Sequence, residues 1–439
     1  MKNKVLLIAF LLGLVLVVVA YFGPDQIRER WIGDATGPES TDTPTGKNYV
    51  LWFSIDGINP PDLDLSDTPF WDRLRSVGSY SLEHRVVFPS VTFASHVSQA
   101  TGVKVADHGI PANRFYDRAT GRVHSYPGAA GLLEAEPIWN TVQRQGLRVA
   151  VKDWPLSHQQ QGPDATSYHG ERYERGLTDR ERLWQVMDLW REDPDPASLR
   201  LLMGYAVGPD SPGHAHGPGA EPVREALERV DRLLGELLEE AVTFFEEFRK
   251  PGDRLIFIVT SDHGMSPVHT LVHPGLLTGL EDVDEVVAVH SANLVHFTFL
   301  DEDRSEEHIQ SALQQLEEYS FARGYRRAEL PAHWQYQHPD RVGDLVVVLE
   351  TGYTFSRRPR EVTAQAARHG GPVGMHGYDP REDPAMDTVA FFYRYPEPPS
   401  GGADLGKIHS LQLHPTVARL LEVEPAVGAE AEPLILFSP

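Results

Sequence analysis

The sequence predicts an α/β protein: a mostly parallel central sheet flanked by helices, with a smaller inserted α+β region and an apolar N-terminal helix ahead of the domain. Three observations predict it. First, Tyr49 to Ile55 (YVLWFSI), Leu201 to Val207 and Leu255 to Thr260 (LIFIVT) are continuous apolar runs, the pattern of strands buried on both faces. Second, Glu221 to Lys250 lies between the last two runs and places Val223, Leu227, Val230, Leu234, Leu237, Leu238 and Ala241 at helical spacing. Strand, long helix and strand make a βαβ crossover. Third, the pattern changes over residues 281–365, where VHFTF and DLVVVLE alternate and Ser305 to Tyr319 reads as an acidic helix. That segment is expected to be an inserted cap, between a first catalytic part at 49–280 and a last part at 366–439.

The remaining elements follow in chain order. Lys2 and Lys4 precede an uncharged stretch from Val5 to Phe22. As a helix it would reach roughly 27 Å, close to the thickness of a hydrocarbon core. Residues 1–22 are therefore expected to form a transmembrane signal anchor, with the lysines holding the N-terminus in the cytoplasm. A cleaved signal peptide is the rival, since Val18-Val19-Ala20 offers a small-residue cleavage site. Both put the bulk of the chain on the extracytoplasmic side, anchored or secreted. Residues 23–48 read as a flexible linker, polar and rich in Thr, Gly and Pro from Gly33 onward. Val86-Val87 leads into Phe88-Pro89-Ser90, and a helix is expected to begin near Thr92. Arg148 to Lys152 and Thr388 to Tyr393 are further strand candidates.

Composition removes several functions. The chain has 439 residues, 40 Lys+Arg, 63 Asp+Glu, a formal net charge of −23, 20 His and no Cys. Without cysteine there is no disulfide framework, zinc finger, iron–sulfur cluster or thiol nucleophile. The acidic excess argues against binding a nucleic-acid duplex, which needs a surplus of cations.

Four apolar runs or Gly-rich loops end in metal-ligand residue types. They are Ile55-Asp56-Gly57, Val207 through Asp210 to His214, Thr260-Ser261-Asp262-His263-Gly264, and Gly374-Met375-His376-Gly377. Each alone has an ordinary reading: Asp-Gly is a turn, Asp-x-x-x-His is polar loop, and a lone His is surface or core. Ligand sites in open α/β sheets gather beyond the carboxyl ends of the strands, so the four segments can converge. Three Asp and three His then make two sets of oxygen and nitrogen ligands. Mixed carboxylate and imidazole donors suit zinc or a similar transition metal better than Mg²⁺ or Ca²⁺. Thr92, at an expected helix start, is a candidate nucleophile whose pKa a metal would lower. The competing role for Ser90, Thr92 or Ser95 is a helix N-cap.

In this order, FSIDG, FPSVTFASHVSQATG, HGIPANRFYD, EPIWNT, YAVGPDSPGH, TSDHGM and GMHGYD resemble the nucleotide pyrophosphatase/phosphodiesterase branch of the alkaline phosphatase superfamily. The match runs from about Tyr49 to Met265 and resumes near Gly371. The resemblance implies an alkaline-phosphatase-like fold and two zinc ions. One would be held by Asp210, His214 and His376, the other by Asp56, Asp262, His263 and the nucleophile Thr92. It also implies that Asn113 donates to a phosphoryl oxygen, and that Phe93 and Tyr205 clamp a base. The chain departs from the family pattern at Gly208, Val91 and Ala94-Ser95.

The function so implied is a membrane-tethered, metal-dependent hydrolase of phosphodiester or pyrophosphate bonds, acting on nucleotide-type substrates. Phosphomonoesterase, phosphonate hydrolase and head-group phosphotransferase are alternatives on the same metal set. A monoesterase needs extra cationic contacts to its substrate, and no Lys or Arg stands out in the sequence for that task. A non-catalytic envelope protein is the alternative of a different class. The sequence does not fix the oligomeric state.

Overall fold

Residue placement is described for 46–281, 283–397 and 401–437 of a computed structural model. The apolar segment Val5 to Phe22 and nearly all of the linker lie outside these residues. Among the described residues no helix is long and apolar enough to cross a membrane.

The chain enters β1 (Asn48–Ile55), the middle of the main sheet. Its side chains alternate between two cores. Tyr49, Leu51, Phe53 and Ile55 enter one; Val50 and Trp52 enter the other. That is why the run carries no polar break: period 2 with both faces covered leaves no solvent side. The Trp52 indole N–H, buried with the ring, donates to Thr260 Oγ1 at 2.9 Å. After β1 come α1 (Pro69–Val77), β2 (Ser79–Arg85) and α2 (Thr92–Thr101). Then follow α3 (Ile138–Arg144), β3 (Arg148–Lys152), α4 (Asp179–Glu192), β4 (Leu199–Ala206), α5 (Asp210–His216), α6 (Glu221–Glu246) and β5 (Arg254–Thr260).

Among the described residues the main sheet has eight strands. β1 lies between β4 and β5, parallel to both, and β3 extends the parallel set beyond β4. Helices α1, α4 and α6 cover one face, with α3 and α8 (Leu413–Leu420) on the other. Each large apolar side chain fully buried there contributes roughly 1.5–3 kcal/mol. The long crossover helix α6 does a second job. Its buried Asp231 accepts from the N–H groups of Phe70 and Trp71 at 3.2 and 3.0 Å, the first turn of α1, which has no side-chain N-cap of its own.

Residues between 281 and 365 build a separate four-stranded antiparallel sheet. It contains β6 (Val286–Ser291), β7 (Leu294–Phe299), β8 (Ala322–Arg326) and β9 (Leu345–Leu349). Helix α7 (Glu302–Leu316) covers one face, against Leu345, Val347 and Leu349. The opposite face, through Val346, joins Trp334 and Tyr336 over Val87, Phe88, Val91 and Ala94. The Phe88 and Trp334 rings stack with centroids 3.9 Å apart. The inserted sheet thus buttresses the segment that carries Thr92.

The main sheet closes with β10 (Thr388–Tyr395), inserted between β2 and β5 and antiparallel to both. Among the described residues it is the one strand of the sheet core that opposes the rest.

Candidate active site

The carboxyl ends of β1, β4 and β5 deliver the candidate ligands side by side. Asp56 follows β1 at the Gly57 turn. Gly57 has φ +75°, and a Cβ there would sit 2.8 Å from the Asp210 Cα. The Asp-Gly is therefore both a turn and the point where two ligand segments touch. The Asp210 segment corrects the loop reading. Residues 210–216 are the helix α5, so Asp210 and His214 lie one turn apart on one face. Gly374 approaches this turn so closely that any Cβ would collide with the Gly213 carbonyl.

Two ligand sets result: Asp210, His214 and His376, and Asp56, Asp262 and His263. Within each set the donor atoms lie within 4.8 Å of one another. The sets share a wall, since the His263 and His376 rings stack at 3.5 Å.

Hydrogen bonding fixes every imidazole the same way. Nδ1 donates to a backbone carbonyl in His214 (Gly374, 2.9 Å), His263 (Gly264, 3.0 Å) and His376 (Ser90, 2.9 Å). That leaves each Nε2 a lone pair, the arrangement of metal-bound histidine. These lone pairs face carboxylate oxygens. His214 and His376 Nε2 lie 3.3 and 3.8 Å from Asp210 Oδ1. His263 Nε2 lies 3.3 Å from Asp56 Oδ1 and 3.2 Å from Asp262 Oδ2. Those same three oxygens are buried without a hydrogen-bond partner. Their neighbours on the carboxylates are engaged: Asp56 Oδ2 accepts from the Tyr205 hydroxyl at 2.5 Å, and Asp262 Oδ1 from the N–H groups of Gly57 and His263 at 3.1 Å. Acceptor facing acceptor in a buried site is stable only with a cation between them. The donor set fits zinc.

The titration behaviour agrees. Burial, then the charges of Asp262 and Asp210, push the Asp56 carboxyl well above its ordinary range. Burial pushes Asp262 up to about 7 and raises Asp210. Burial, then the His214 charge, pushes His376 down to about 3. Stripped of a cation, the cluster favours its neutral forms.

Thr92 opens helix α2. The N-cap is Val91 and no side chain caps this helix, so the Thr92 hydroxyl is not spent on capping. Its Oγ1 lies 3.4 Å from His263 Nε2. Ser90 does not cap either. Its Oγ donates to the Tyr378 carbonyl at 2.7 Å and accepts from Gly377 N–H at 3.0 Å, which ties the His376 loop to the nucleophile segment. Asn113 Oδ1 accepts from Phe93 N–H at 2.9 Å. That bond settles which way the amide points and turns the Nδ2 donor away from the Phe93 N–H.

A cavity of about 930 Å³ opens over these groups, with Thr92, Phe93, Asn113, Tyr205 and ligands from both sets in its lining. Phe93 and Tyr205 are only 9% and 8% exposed. Tyr173, 36% exposed, is a more available ring in the same cavity, and the sequence analysis missed it because a tyrosine in a polar loop carries no periodic signal. Behind Tyr173 lies buried Arg182, its guanidinium 4.1 Å from the ring centroid and bonded to Asp153 and the Glu174 carbonyl. Arg172 and Arg175 also line the cavity; spacing gave no hint of them either. Among the described residues none between 281 and 365 lines it; the inserted sheet meets the Thr92-bearing segment at Phe88 through Trp334.

A family model, type I phosphodiesterase / nucleotide pyrophosphatase, matches residues 50–379. The chain belongs to this family. Its members named as pyrophosphatases and phosphodiesterases are hydrolases of ester and acid-anhydride bonds. An uncharacterised pyrophosphatase/phosphodiesterase of Schizosaccharomyces pombe is 27% identical over 349 residues, 76% of this chain and 68% of that one. Ectonucleotide pyrophosphatase/phosphodiesterase family member 1 of Mus musculus is 26% identical over 426 residues, 93% of this chain. Venom phosphodiesterase 2 of Crotalus adamanteus is 24% identical over 409 residues, 90% of this chain. The chain covers 45% of the mouse protein and 48% of the venom one, less than half of each. Murine ectonucleotide pyrophosphatase/phosphodiesterase 5, solved as an inactive form in complex with AMP, superposes with a TM-score of 0.71 at 22% identity. The match covers 86% of this chain and 96% of that one, and establishes a shared fold.

Proposed function

We propose that this chain hydrolyses phosphodiester or pyrophosphate bonds of nucleotide-type substrates, with Thr92 as the nucleophile. The observation that carries this reading is the set of partnerless carboxylate oxygens and free Nε2 lone pairs around an uncapped threonine hydroxyl at a cavity wall. Asp210, His214 and His376 would hold one zinc and Asp56, Asp262, His263 and Thr92 the other. Bound there, the two ions would supply Lewis acidity to the phosphoryl oxygens and lower the pKa of the threonine hydroxyl.

The chain's own groups do the rest. Thr92 Oγ1 attacks phosphorus, the leaving alcohol or phosphate departs, and water then releases the second product and restores Thr92. The free N-terminus of α2 favours the negative charge that develops beside it. Asn113 Nδ2 donates to a phosphoryl oxygen, held by its bond to Phe93 N–H. Phe93 and Tyr173 offer faces for a base, Arg182 steadies Tyr173 from behind, and Tyr205 orients Asp56. The domain would work on the extracytoplasmic side, tethered or released according to the fate of Val5 to Phe22; protease accessibility in intact cells tests this.

The decisive experiment compares wild type and Thr92→Ala on an aryl nucleotide diester and an aryl phosphate monoester, with zinc present. Preference for the diester and loss of both activities in the variant are expected. Undiminished turnover by Thr92→Ala would sink the reading.

A further inference from the structure

A second cavity, of about 310 Å³, lies beside the nucleophile segment. Its lining includes Val86, Val87 and Phe88 from one segment and Asp379, Pro380 and Arg381 from another. Cations dominate it. Arg85, Lys104, Arg381 and Lys407 line it with His333 and His409, against the single carboxylate of Asp379. Over the whole chain acids outnumber Lys+Arg by 63 to 40, so this wall inverts the balance of the molecule.

The charges present divide into two kinds. Some are neutralised. Arg85 pairs with Asp387 at 2.5 and 2.8 Å, and Lys407 stands 3.7 Å from Glu83. Asp379 is itself consumed: it accepts from the Trp334 indole at 2.6 Å, from the His333 ring at 2.9 Å and from Arg381 N–H at 2.9 Å. Two are not. Among the described residues no ion pair is made by the side chain of Lys104 or of Arg381. The charge of Arg381 reaches a neighbouring ring. His409 is pushed down to about 4, chiefly by burial and then by the charges of Arg85 and Arg381.

We propose that this pocket is a second binding site, for a small phosphorylated molecule whose phosphoryl group sits between Lys104 and Arg381. A guanidinium and an ammonium lining one cavity suit a dianionic oxygen cluster, and the volume leaves room for a sugar-sized substituent. The site is separate from the metal ligands but adjoins them in sequence. Phe88 precedes Ser90 and Thr92 by a few residues, and Asp379 follows His376. An occupant would touch both strands of the Ser90–His376 tie from outside.

The test is calorimetric titration of the full chain with AMP and, separately, with inorganic phosphate, in chelated and zinc-loaded protein. Chelated protein is expected to keep one saturable anion site. Lys104→Gln/Arg381→Gln should weaken that site about tenfold or more, while Lys104→Arg/Arg381→Lys should retain it. Thr92→Ala should leave it untouched, which separates this site from the hydrolytic one even where hydrolysis itself fails. Thermal unfolding at the wild-type temperature and a diesterase kcat/KM within about twofold of wild type would show that the double variant is folded. Equal affinity for the two ligands assigns the site to the phosphoryl group alone, and tighter AMP binding extends it to the sugar. No binding by chelated protein, or binding unchanged in Lys104→Gln/Arg381→Gln, would overturn the proposal.

Discussion

Asp56, Asp262 and His263 stand at the ends of two adjacent parallel strands, and all three are buried. Asp210 and His214 stand on one turn of a short helix, are only partly buried, and take their third partner, His376, from a distant loop. The chemistry of the two sets is the same and the construction is not. Strand ends are positioned by the sheet ladder and cannot shift without breaking it. A helical turn joined to a loop by two hydrogen bonds, from His214 Nδ1–H to the Gly374 carbonyl and from Val373 N–H to the His214 carbonyl, can open locally at lower cost. The buried set therefore behaves as part of the core, and the other as the exchangeable half.

The largest test of this contrast is at Thr92, the proposed nucleophile. Thr92→Ala should lower kcat by about 10⁴-fold or more and leave metal content near wild type, measured by steady-state kinetics and metal analysis. Next come the sets themselves. Asp262→Asn should cost activity that added zinc does not restore, whereas His214→Asn should recover in part as free zinc is raised. Activity followed across a zinc titration decides, and equal rescue of both would erase the distinction. Ser90→Ala cuts the tie to the His376 loop and should weaken the exchangeable metal about 10–100-fold, read by competition with a chelating dye. Trp334→Ala removes the ring stacked on Phe88 and should cost about 3–5 kcal/mol of stability, read from the denaturant midpoint, with a smaller fall in kcat.

A further effect is a pH dependence away from the metals. Burial pushes His84 and His108 down to about 3, and His296 and His414 down to about 4, from 6.5. The unfolded chain then binds more protons than the native one below about pH 6.5. Their contribution is complete above that pH and is lost as pH falls. The thermal midpoint of metal-loaded protein should drop between pH 7 and 5. Much of the histidine surplus is therefore core, not ligand.

The elements legible in the sequence were those whose environment leaves a period. Arg148–Lys152 is a strand as expected, and β1, β4 and β5 match their apolar runs to within two residues at either end. Burial on both faces forbids polar residues, so such strands announce themselves. The direction of β10 was not legible, because period-2 burial is the same for parallel and antiparallel neighbours. Helix α5 was hidden by its Pro212 and Gly213, which read as loop. The Ser90 tie and the basic pocket join segments hundreds of residues apart. No local pattern encodes them.

The position of β10 has a consequence in time. It fills the gap between β2 and β5, yet it comes from residues 388–395, and His376 shortly precedes it. Emerging from the ribosome N-terminus first, the chain exposes Thr92 and five of the six candidate metal ligands long before the sheet can seal. On the proposed reading, hydrolytic competence would be withheld until nearly the last stretch of chain arrives, so a truncated product of synthesis would carry Thr92 but no finished site.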